Sequence, residues 1–136
     1  TQPILMRLNS DLATLCDAVL DGHIADIDVV WDKRCSLGVV MASAGYPDCY
    51  DIGLPIDGLD TPEKDTVKVF HAGTHDRDGQ VLTSGGRVLC VTALGSDIES
   101  ARDLVYSTIK SIHWPGSFWR ADIGHRALAR QETEHK

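Results

Sequence analysis

The chain has 136 residues, of which 43% are hydrophobic and 24% are charged, and this composition is typical of one folded domain. Thirteen Lys and Arg against twenty Asp and Glu give a formal net charge of −7, which disfavours general binding to a nucleic-acid backbone. The apolar runs are far shorter than a bilayer span, so we expect no membrane partner. A helical pattern follows Thr1 almost at once, which favours a fragment of a longer protein.

The four cysteines show no pattern of a metal or disulfide framework. Cys16, Cys35, Cys49 and Cys90 lack the Cys-x-x-Cys spacing of zinc sites. We therefore expect Cys16 and Cys90 to be reduced structural thiols, and the protein to be cytoplasmic.

The first elements are predicted to be one long helix and two strands. Apolar residues recur at helical spacing over residues 3–20, and Asp21-Gly22 is expected to end this helix. Residues 28–31 and 37–43 are predicted strands, and the second is a nearly continuous apolar run.

The middle of the chain is predicted to form an antiparallel meander. A Gly-, Pro- and Asp-rich excursion over residues 44–65 is expected to lie on the surface. The strands are predicted at residues 66–70, 80–83 and 87–94, with turns at Asp78-Gly79 and at residues 84–86.

The last third is predicted to contain a helix and a short terminal element. Ser96 and Glu99 have the spacing of a capping box, and the helix that they open is expected to stop at residues 114–116. Its apolar face carries Ile98, Ala101, Val105, Ile109 and Ile112. Residues 118–128 would form a last element and residues 131–136 a frayed polar tail, which completes an α+β fold.

Two histidines four residues apart, His71 and His75, suggest either a metal site or a hydrogen-bonded loop. The segment leaves a strand and passes through Gly73, so the two rings need not share a face. We favour the loop, and we predict no metal site.

Residues 83–87 are the best candidate for ligand chemistry. Gly85 and Gly86 permit close approach of backbone N–H groups to an anion, and the Arg87 guanidinium can bind a phosphate or carboxylate. The alternative is a hairpin turn with a surface arginine.

Two further segments carry weaker signals. Gly45-Tyr46-Pro47 would either line a cleft or form a plain turn. Arg120, Asp122 and Arg126 are expected to form a solvated ion pair. From the residues alone, the chain is predicted to be a domain that binds a small anion.

Several segments together resemble the C-terminal portion of the phosphoribosylamine–glycine ligase family, ATP-grasp enzymes of purine biosynthesis. The similar segments are residues 1–8 with 10–12, 45–47, 70–74, 85–89 with 91–93, and 120–124 with 126–128. The family usually has two glycines before the tyrosine at position 46 and Asn at position 84, and it has an aromatic residue at position 125. These departures put only fine substrate geometry in doubt.

The resemblance implies a reaction that joins phosphoribosylamine to glycine while ATP is hydrolysed to ADP and phosphate. It implies that the groups binding ATP and Mg²⁺ (or Mn²⁺) precede Thr1, so that this fragment binds no cofactor, holds no catalytic residue and is inactive alone. Residues 1–26 would end the ATP-grasp domain, and residues 27–130 would form a C-terminal β-rich substrate-binding domain. The face of Ile4, Leu8, Leu12 and Leu15 would then be partly uncovered, because the remainder of the ligase chain is its partner.

The chemistry of the residues and the family resemblance together predict a set of substrate-binding residues around one cleft. They are Arg87, Gly85, Gly86, Thr74, Gly73, His71 and Tyr46. Two other classes stay open: a biotinyl- or lipoyl-like carrier, which needs a lysine at a hairpin tip, and a non-catalytic regulatory or scaffold domain with the same fold.

Overall fold

A computed structural model of the chain describes residues 1–60 and 65–134, with side chains as far as Arg130. The helices are α1 (Gln2–Met6), α2 (Leu12–Leu20), α3 (Ile98–Ile109) and α4 (His125–Glu134), with a 3₁₀ turn at Ile24–Asp26. The strands are β1 (Cys35–Ala42), β2 (Val67–His71), β3 (Thr74–Arg77), β4 (Gln80–Thr83), β5 (Arg87–Gly95) and β6 (Phe118–Trp119). The expected α+β class with antiparallel strands is confirmed.

The strands form two sheets, and this order differs from the expected simple meander. The larger sheet has the order β2-β5-β1-β6, and β3 pairs with β4 in a separate hairpin. In the larger sheet β1 pairs with β5 from Cys35–Gly95 to Ala42–Arg87, with an irregularity between Met41 and Ala42. The chain therefore leaves the larger sheet after β2 and returns to its centre as β5.

The core lies between α3 and one face of the larger sheet. Alternating residues of β1 and β5, among them Val39, Met41 and Val91, are fully or almost fully buried. The opposing face of α3 contributes Ala101, Val105 and Ile109 with 0% exposure, so the predicted apolar face of this helix is confirmed.

Helix α1 covers part of the other face of the sheet. Gly38 lies below it, and a Cβ built at Gly38 would come within 3.0 Å of Pro3 Cγ. The lack of a side chain at Gly38 therefore lets α1 approach the sheet closely.

The predicted single helix over residues 3–20 is wrong, because the chain leaves the helical conformation between α1 and α2. Asn9 and Ser10 donate their amides to the Val30 carbonyl, and the Ser10 hydroxyl accepts from the Val30 amide. Asp11 then caps α2 by accepting from the Thr14 amide at 2.8 Å. These polar residues compete with the helix for backbone hydrogen bonds, which apolar periodicity does not report.

The C-terminal end of α2 agrees with its prediction. Gly22 has φ of +81°, and the His23 amide reaches back to the Ala18 carbonyl at 2.9 Å. This Schellman arrangement needs a residue that adopts a left-handed conformation at little cost. Residues 28–31, in contrast, form no strand and contribute a single bridge between Trp31 and Leu8.

The boundaries of α3 differ from the prediction at both ends. Asp97, not Ser96, is the N-cap, since its carboxylate accepts from the Ser100 amide at 2.7 Å. The helix ends at Ile109, before residues 114–116, because His113 turns to exchange two backbone hydrogen bonds with Asp57. Near the C-terminus, α4 continues through Glu134, so residues 131–134 are helical rather than a frayed tail.

The remaining predicted strands and the turn at Asp78-Gly79 agree with the structure within one or two residues. Asp78 and Gly79, both with positive φ, form the turn between β3 and β4. Within residues 44–60 the chain contributes only isolated bridges at Pro55 and Asp57. The expected surface location is wrong for part of this excursion, because Ile56 is 6% exposed and belongs to the core. Residues 61–64 of that excursion, and residues 135 and 136 of the predicted tail, lie outside the described part. No described helix is long and apolar enough to cross a bilayer.

Candidate functional site

The predicted site residues meet at one end of the larger sheet. The C-terminal ends of β1 and β2 lie there beside the N-terminal end of β5, because both pairings are antiparallel. Ala42 of β1 pairs with Arg87, and His71 of β2 pairs with Leu89 two residues farther along β5. The segments that follow β1 and β2 therefore lie against the segment that precedes β5.

The segment of Ser84, Gly85 and Gly86 is a crossover between sheets, not the hairpin turn considered as an alternative. The strand before it, β4, pairs with β3, whereas β5 pairs with β1 and β2. The two glycines are thus held by elements on both sides.

Both glycines of this crossover are packed against other loops. A Cβ at Gly86 would lie 2.1 Å from Cδ2 of Tyr46 and 2.9 Å from Cε1 of Tyr50. A Cβ at Gly73 would lie 2.8 Å from the Gly85 Cα. Loop packing within the protein therefore requires glycine at positions 73 and 86. The sequence analysis had explained the glycine pair only by the close approach of an anion.

Ser43 is a member of this cluster that the sequence analysis missed. Its side chain is 1% exposed, and its hydroxyl donates to the Gly85 carbonyl at 3.2 Å. Its backbone amide donates to the Gly86 carbonyl at 2.9 Å. The only feature of the sequence that could have pointed to Ser43 is that a small polar residue follows an apolar strand.

The loop after β2 completes the cluster. The Gly73 amide donates to the Arg87 carbonyl at 2.9 Å, and the Ser84 amide donates to the Gly73 carbonyl at 2.7 Å. His71 Nδ1 lies 3.0 Å from the Thr74 hydroxyl, so these two side chains are hydrogen-bonded across the loop. Contacts thus join all seven predicted residues into one group.

His75 belongs to the other sheet, where it pairs with Leu82 in the β3–β4 hairpin. His71 ends a strand of the larger sheet. Across the described residues there is no group of three or more His, Cys, Asp or Glu side chains that could hold a metal ion. At His71 the structure therefore has a hydrogen-bonded loop.

Arg87 differs from Arg34 and Arg120, because its guanidinium has no acidic partner in the described part of the chain. Arg34 holds Asp32, and Arg120 holds Asp122 with Nε 2.9 Å from Oδ1, while Arg102 lies 5.3 Å from the centre of the Tyr106 ring. Arg87 is exposed, and no hydrogen bond or ion pair of its guanidinium occurs among residues 1–60 and 65–134.

Arg120 forms an ion pair with Asp122, two residues farther along the chain, and this pair is exposed to solvent. Hydrogen bonding from Arg120 lowers the pKa of Asp122, and the two side chains are 69% and 53% exposed. The expected ion pair is therefore present between Arg120 and Asp122, and among the described residues Arg126 makes no ion pair with Asp122. The cluster brings together the Arg87 guanidinium, the hydroxyls of Ser43 and Thr74, the His71 imidazole and the peptide groups of Gly85-Gly86. This set of groups is suited to binding an anion.

A family model and individual relatives of this chain point to the same kind of protein. Residues 36–126 match the family model described as "Phosphoribosylglycinamide synthetase, C domain". The chain is 52% identical over 133 residues to a phosphoribosylamine–glycine ligase of Allochromatium vinosum, covering 98% of this chain and 31% of that protein. It is 50% identical over 134 residues to the ligase of Escherichia coli O157:H7, again covering 98% of this chain and 31% of the relative.

A solved structure shares the fold. The crystal structure of the phosphoribosylamine–glycine ligase from Thermotoga maritima aligns with a TM-score of 0.64 and 33% sequence identity, over 79% of this chain and 27% of that chain. The chain therefore spans about 31% of the length of the curated relatives named above. With two thirds of its residues inside the matched family model, the chain belongs to the phosphoribosylglycinamide synthetase C-domain family.

Proposed function

We propose that this chain is the C-terminal part of an enzyme that joins phosphoribosylamine to glycine to give glycinamide ribonucleotide, with hydrolysis of ATP to ADP and phosphate. The proposal is supported by identities of about 50% to ligases of that name across nearly the whole chain. Since the chain spans only 31% of these relatives, the groups that bind ATP and Mg²⁺ would lie in the remainder of the ligase. Residues 1–26 would close the ATP-grasp domain, and residues 27–130 would form the substrate-binding domain of a cytoplasmic enzyme.

The proposed role of this part of the enzyme is to bind the 5-phosphate of phosphoribosylamine. The observation that carries it is the exposed Arg87 guanidinium, which has no acidic partner in the described part of the chain and stands beside the Gly85-Gly86 crossover. Binding a dianionic phosphate requires a fixed cation and several N–H donors to replace the water that the phosphate loses. Arginine stays charged at any working pH and presents a planar fork of donors.

The other residues of the cluster would line the same cleft. The Thr74 hydroxyl, held by His71 at 3.0 Å, would donate to the substrate, and Gly73 keeps this loop against the crossover. Tyr46 would close one wall, since its ring packs on Gly86. None of these residues is assigned a step of bond making or breaking.

Replacing Arg87 by Ala in the full-length ligase tests the role in phosphate binding. Loss of one charge-assisted contact of about 1.5–3 kcal/mol should raise the KM for phosphoribosylamine roughly ten- to more than a hundredfold. The KM for ATP should stay nearly unchanged. Arg77→Ala is the matched control, because Arg77 is an exposed arginine at the far end of the β3–β4 hairpin. If Arg87→Ala changes neither KM nor kcat, Arg87 is a surface residue and the proposed site is wrong.

The isolated chain is expected to be inactive, because transfer of the phosphoryl group needs the nucleotide and its metal ion. Phosphate release from ATP in the presence of glycine and phosphoribosylamine should therefore be absent for residues 1–136 and present for the full-length ligase. Release by the short chain would show that it carries the nucleotide site itself.

A further inference from the structure

Ser43 engages both carbonyl groups of the glycine pair that precedes β5. Its hydroxyl donates to the Gly85 carbonyl at 3.2 Å, and its amide donates to the Gly86 carbonyl at 2.9 Å. With 1% exposure, Ser43 is closed off from solvent, so these bonds do not compete with water.

This arrangement determines where the next two amide groups point. In a trans peptide the C=O and N–H bonds of one unit point in opposite directions, and the only cis peptide among the described residues is Tyr46-Pro47. Because the carbonyls of Gly85 and Gly86 point toward Ser43, the amides of Gly86 and Arg87 both point away from it. The Gly73 amide bonds to the Arg87 carbonyl on that far side, so the two amides face the loop that carries Thr74.

Two consecutive amides on one side of the backbone form a concave anion-binding group, whereas in a regular strand they alternate. Gly86 is buried, yet among the described residues its amide has no hydrogen-bond acceptor. Buried amides are nearly always paired, so an unpaired one beside an unpaired arginine indicates a place for a bound acceptor.

We propose that Ser43 is a positioning residue, which turns the Gly86 and Arg87 amides toward the phosphate that the Arg87 guanidinium binds. This inference rests on the proposed function, and it adds a residue outside the predicted set. Ser43 itself does not touch the phosphate. It acts by holding the peptide units in the one orientation that presents both N–H groups.

The test compares Ser43→Ala with wild type in the full-length ligase, using ribose 5-phosphate as a competitive probe that carries the phosphate without the amine. Loss of the hydroxyl should raise the inhibition constant for ribose 5-phosphate and the KM for phosphoribosylamine about three- to tenfold, as expected for one hydrogen bond. The kcat and the KM for ATP should change little. A purely structural role would instead lower Tm and alter all kinetic constants together, and that result would overturn the proposal.

Ser36→Ala is the matched control, because Ser36 lies in β1, the strand that ends just before Ser43, and its buried hydroxyl has no hydrogen-bond partner among the described residues. It should leave the inhibition constant for ribose 5-phosphate unchanged. Arg87→Ala separates the two proposals: if it raises this constant and Ser43→Ala does not, only the role of Ser43 is wrong. If Arg87→Ala has no effect, the phosphate site itself is wrong.

Hydrogen exchange in the unmodified ligase provides a second measurement should Ser43→Ala fail to fold. Saturating ribose 5-phosphate should slow exchange of the Gly86 and Arg87 amides, with no comparable change at the Asp78-Gly79 turn. Unchanged exchange at Gly86 and Arg87 would overturn the proposal.

Discussion

Gly86 shows how a single residue of the candidate site serves the packing of two loops. The rings of Tyr46 and Tyr50 lie 6.1 Å apart between centroids, and the Tyr46 ring occupies the space that any side chain at position 86 would need. The space at Gly85 is less restricted, since a Cβ there would meet only the Gly73 Cα at 3.3 Å. The two adjacent glycines are therefore not equivalent.

We expect Gly86→Ala to destabilise the protein more than Gly85→Ala. Displacing a packed tyrosine ring from Gly86 should cost about 1–3 kcal/mol of the free energy of unfolding, as overpacking does elsewhere. Gly85→Ala needs a shift of only a few tenths of an ångström. Urea denaturation of both variants measures the difference, and equal stabilities would show that Tyr46 moves aside freely.

At the scale of elements, the junction between the helical N-terminal segment and β1 depends on Asp32. Its amide donates to the Arg7 carbonyl, and Arg7 Nε donates to the Asp32 carbonyl at 3.1 Å. The carboxylate accepts from the Arg34 amide and from the Arg34 guanidinium. These hydrogen bonds from Arg34 lower the pKa of Asp32 to about 2. The backbone of Asp32 thereby bonds to Arg7 at the end of α1, and its carboxylate bonds to Arg34 just before β1.

The lowered pKa predicts a pH dependence of stability. The folded-state pKa of Asp32 lies below its ordinary value of 3.8, so the ionised form is favoured by folding. The contribution of ionised Asp32 to the free energy of unfolding should be fully present above about pH 4 and be lost as the pH falls toward 2. Asp32→Asn should therefore lower stability at pH 6, and its deficit against wild type should shrink at pH 2.5.

Thermal unfolding at several pH values measures this effect, with Asp51→Asn as control. Asp51 is an exposed carboxylate for which the described part of the chain offers no hydrogen-bond or ion-pair partner. A deficit of Asp32→Asn that stays constant from pH 6 to pH 2.5 would mean that the charge of Asp32 does not stabilise the junction.

At the scale of the whole molecule, α2 carries an apolar surface that the described chain leaves uncovered. Leu12, Val19 and Leu20 are 49%, 59% and 83% exposed, and with Leu15 and Cys16 they line an open cleft of about 420 Å³. Ile4 of α1 is 61% exposed and Leu8 is half-buried. The predicted partial exposure of Ile4, Leu8, Leu12 and Leu15 agrees with this, although Ile4 lies in α1, Leu12 and Leu15 lie in α2, and Leu8 lies between the two helices.

We expect this surface to contact the remainder of the ligase, and the isolated chain to bind hydrophobic dyes there. Val19→Lys should reduce the fluorescence of bound anilinonaphthalene sulfonate in the isolated chain and leave its Tm nearly unchanged. In the full-length ligase the same substitution should lower Tm, because it buries a charge at a domain contact.

Ala13→Lys is the control for this experiment, since it adds the same charge on an exposed position of α2 outside the cleft. It should change neither dye binding nor the Tm of the full-length ligase. Equal dye binding by wild type and Val19→Lys would place the exposed apolar surface elsewhere.

The sequence by itself determined the features that depend on local pattern. The apolar runs predict β1 and β5, the Asp78-Gly79 pair predicts its turn, and Gly22 predicts the end of α2, because each depends on neighbours in the chain. The family, too, follows from short segments in their order. Even the end of α1 had a local signal in Asn9, Ser10 and Asp11, although helical periodicity concealed it.

Only the tertiary structure decided how distant segments meet. The separation of β3–β4 from the larger sheet made the Gly85-Gly86 crossover a junction instead of a hairpin turn, and nothing local distinguishes the two. The packing of Tyr46 on Gly86 and the bonds of Ser43 join residues about 40 positions apart. Likewise, His113 ends α3 early by pairing with Asp57. Such contacts depend on the strand order, and in antiparallel sheets that order is selected by burial of the whole core rather than by any single segment.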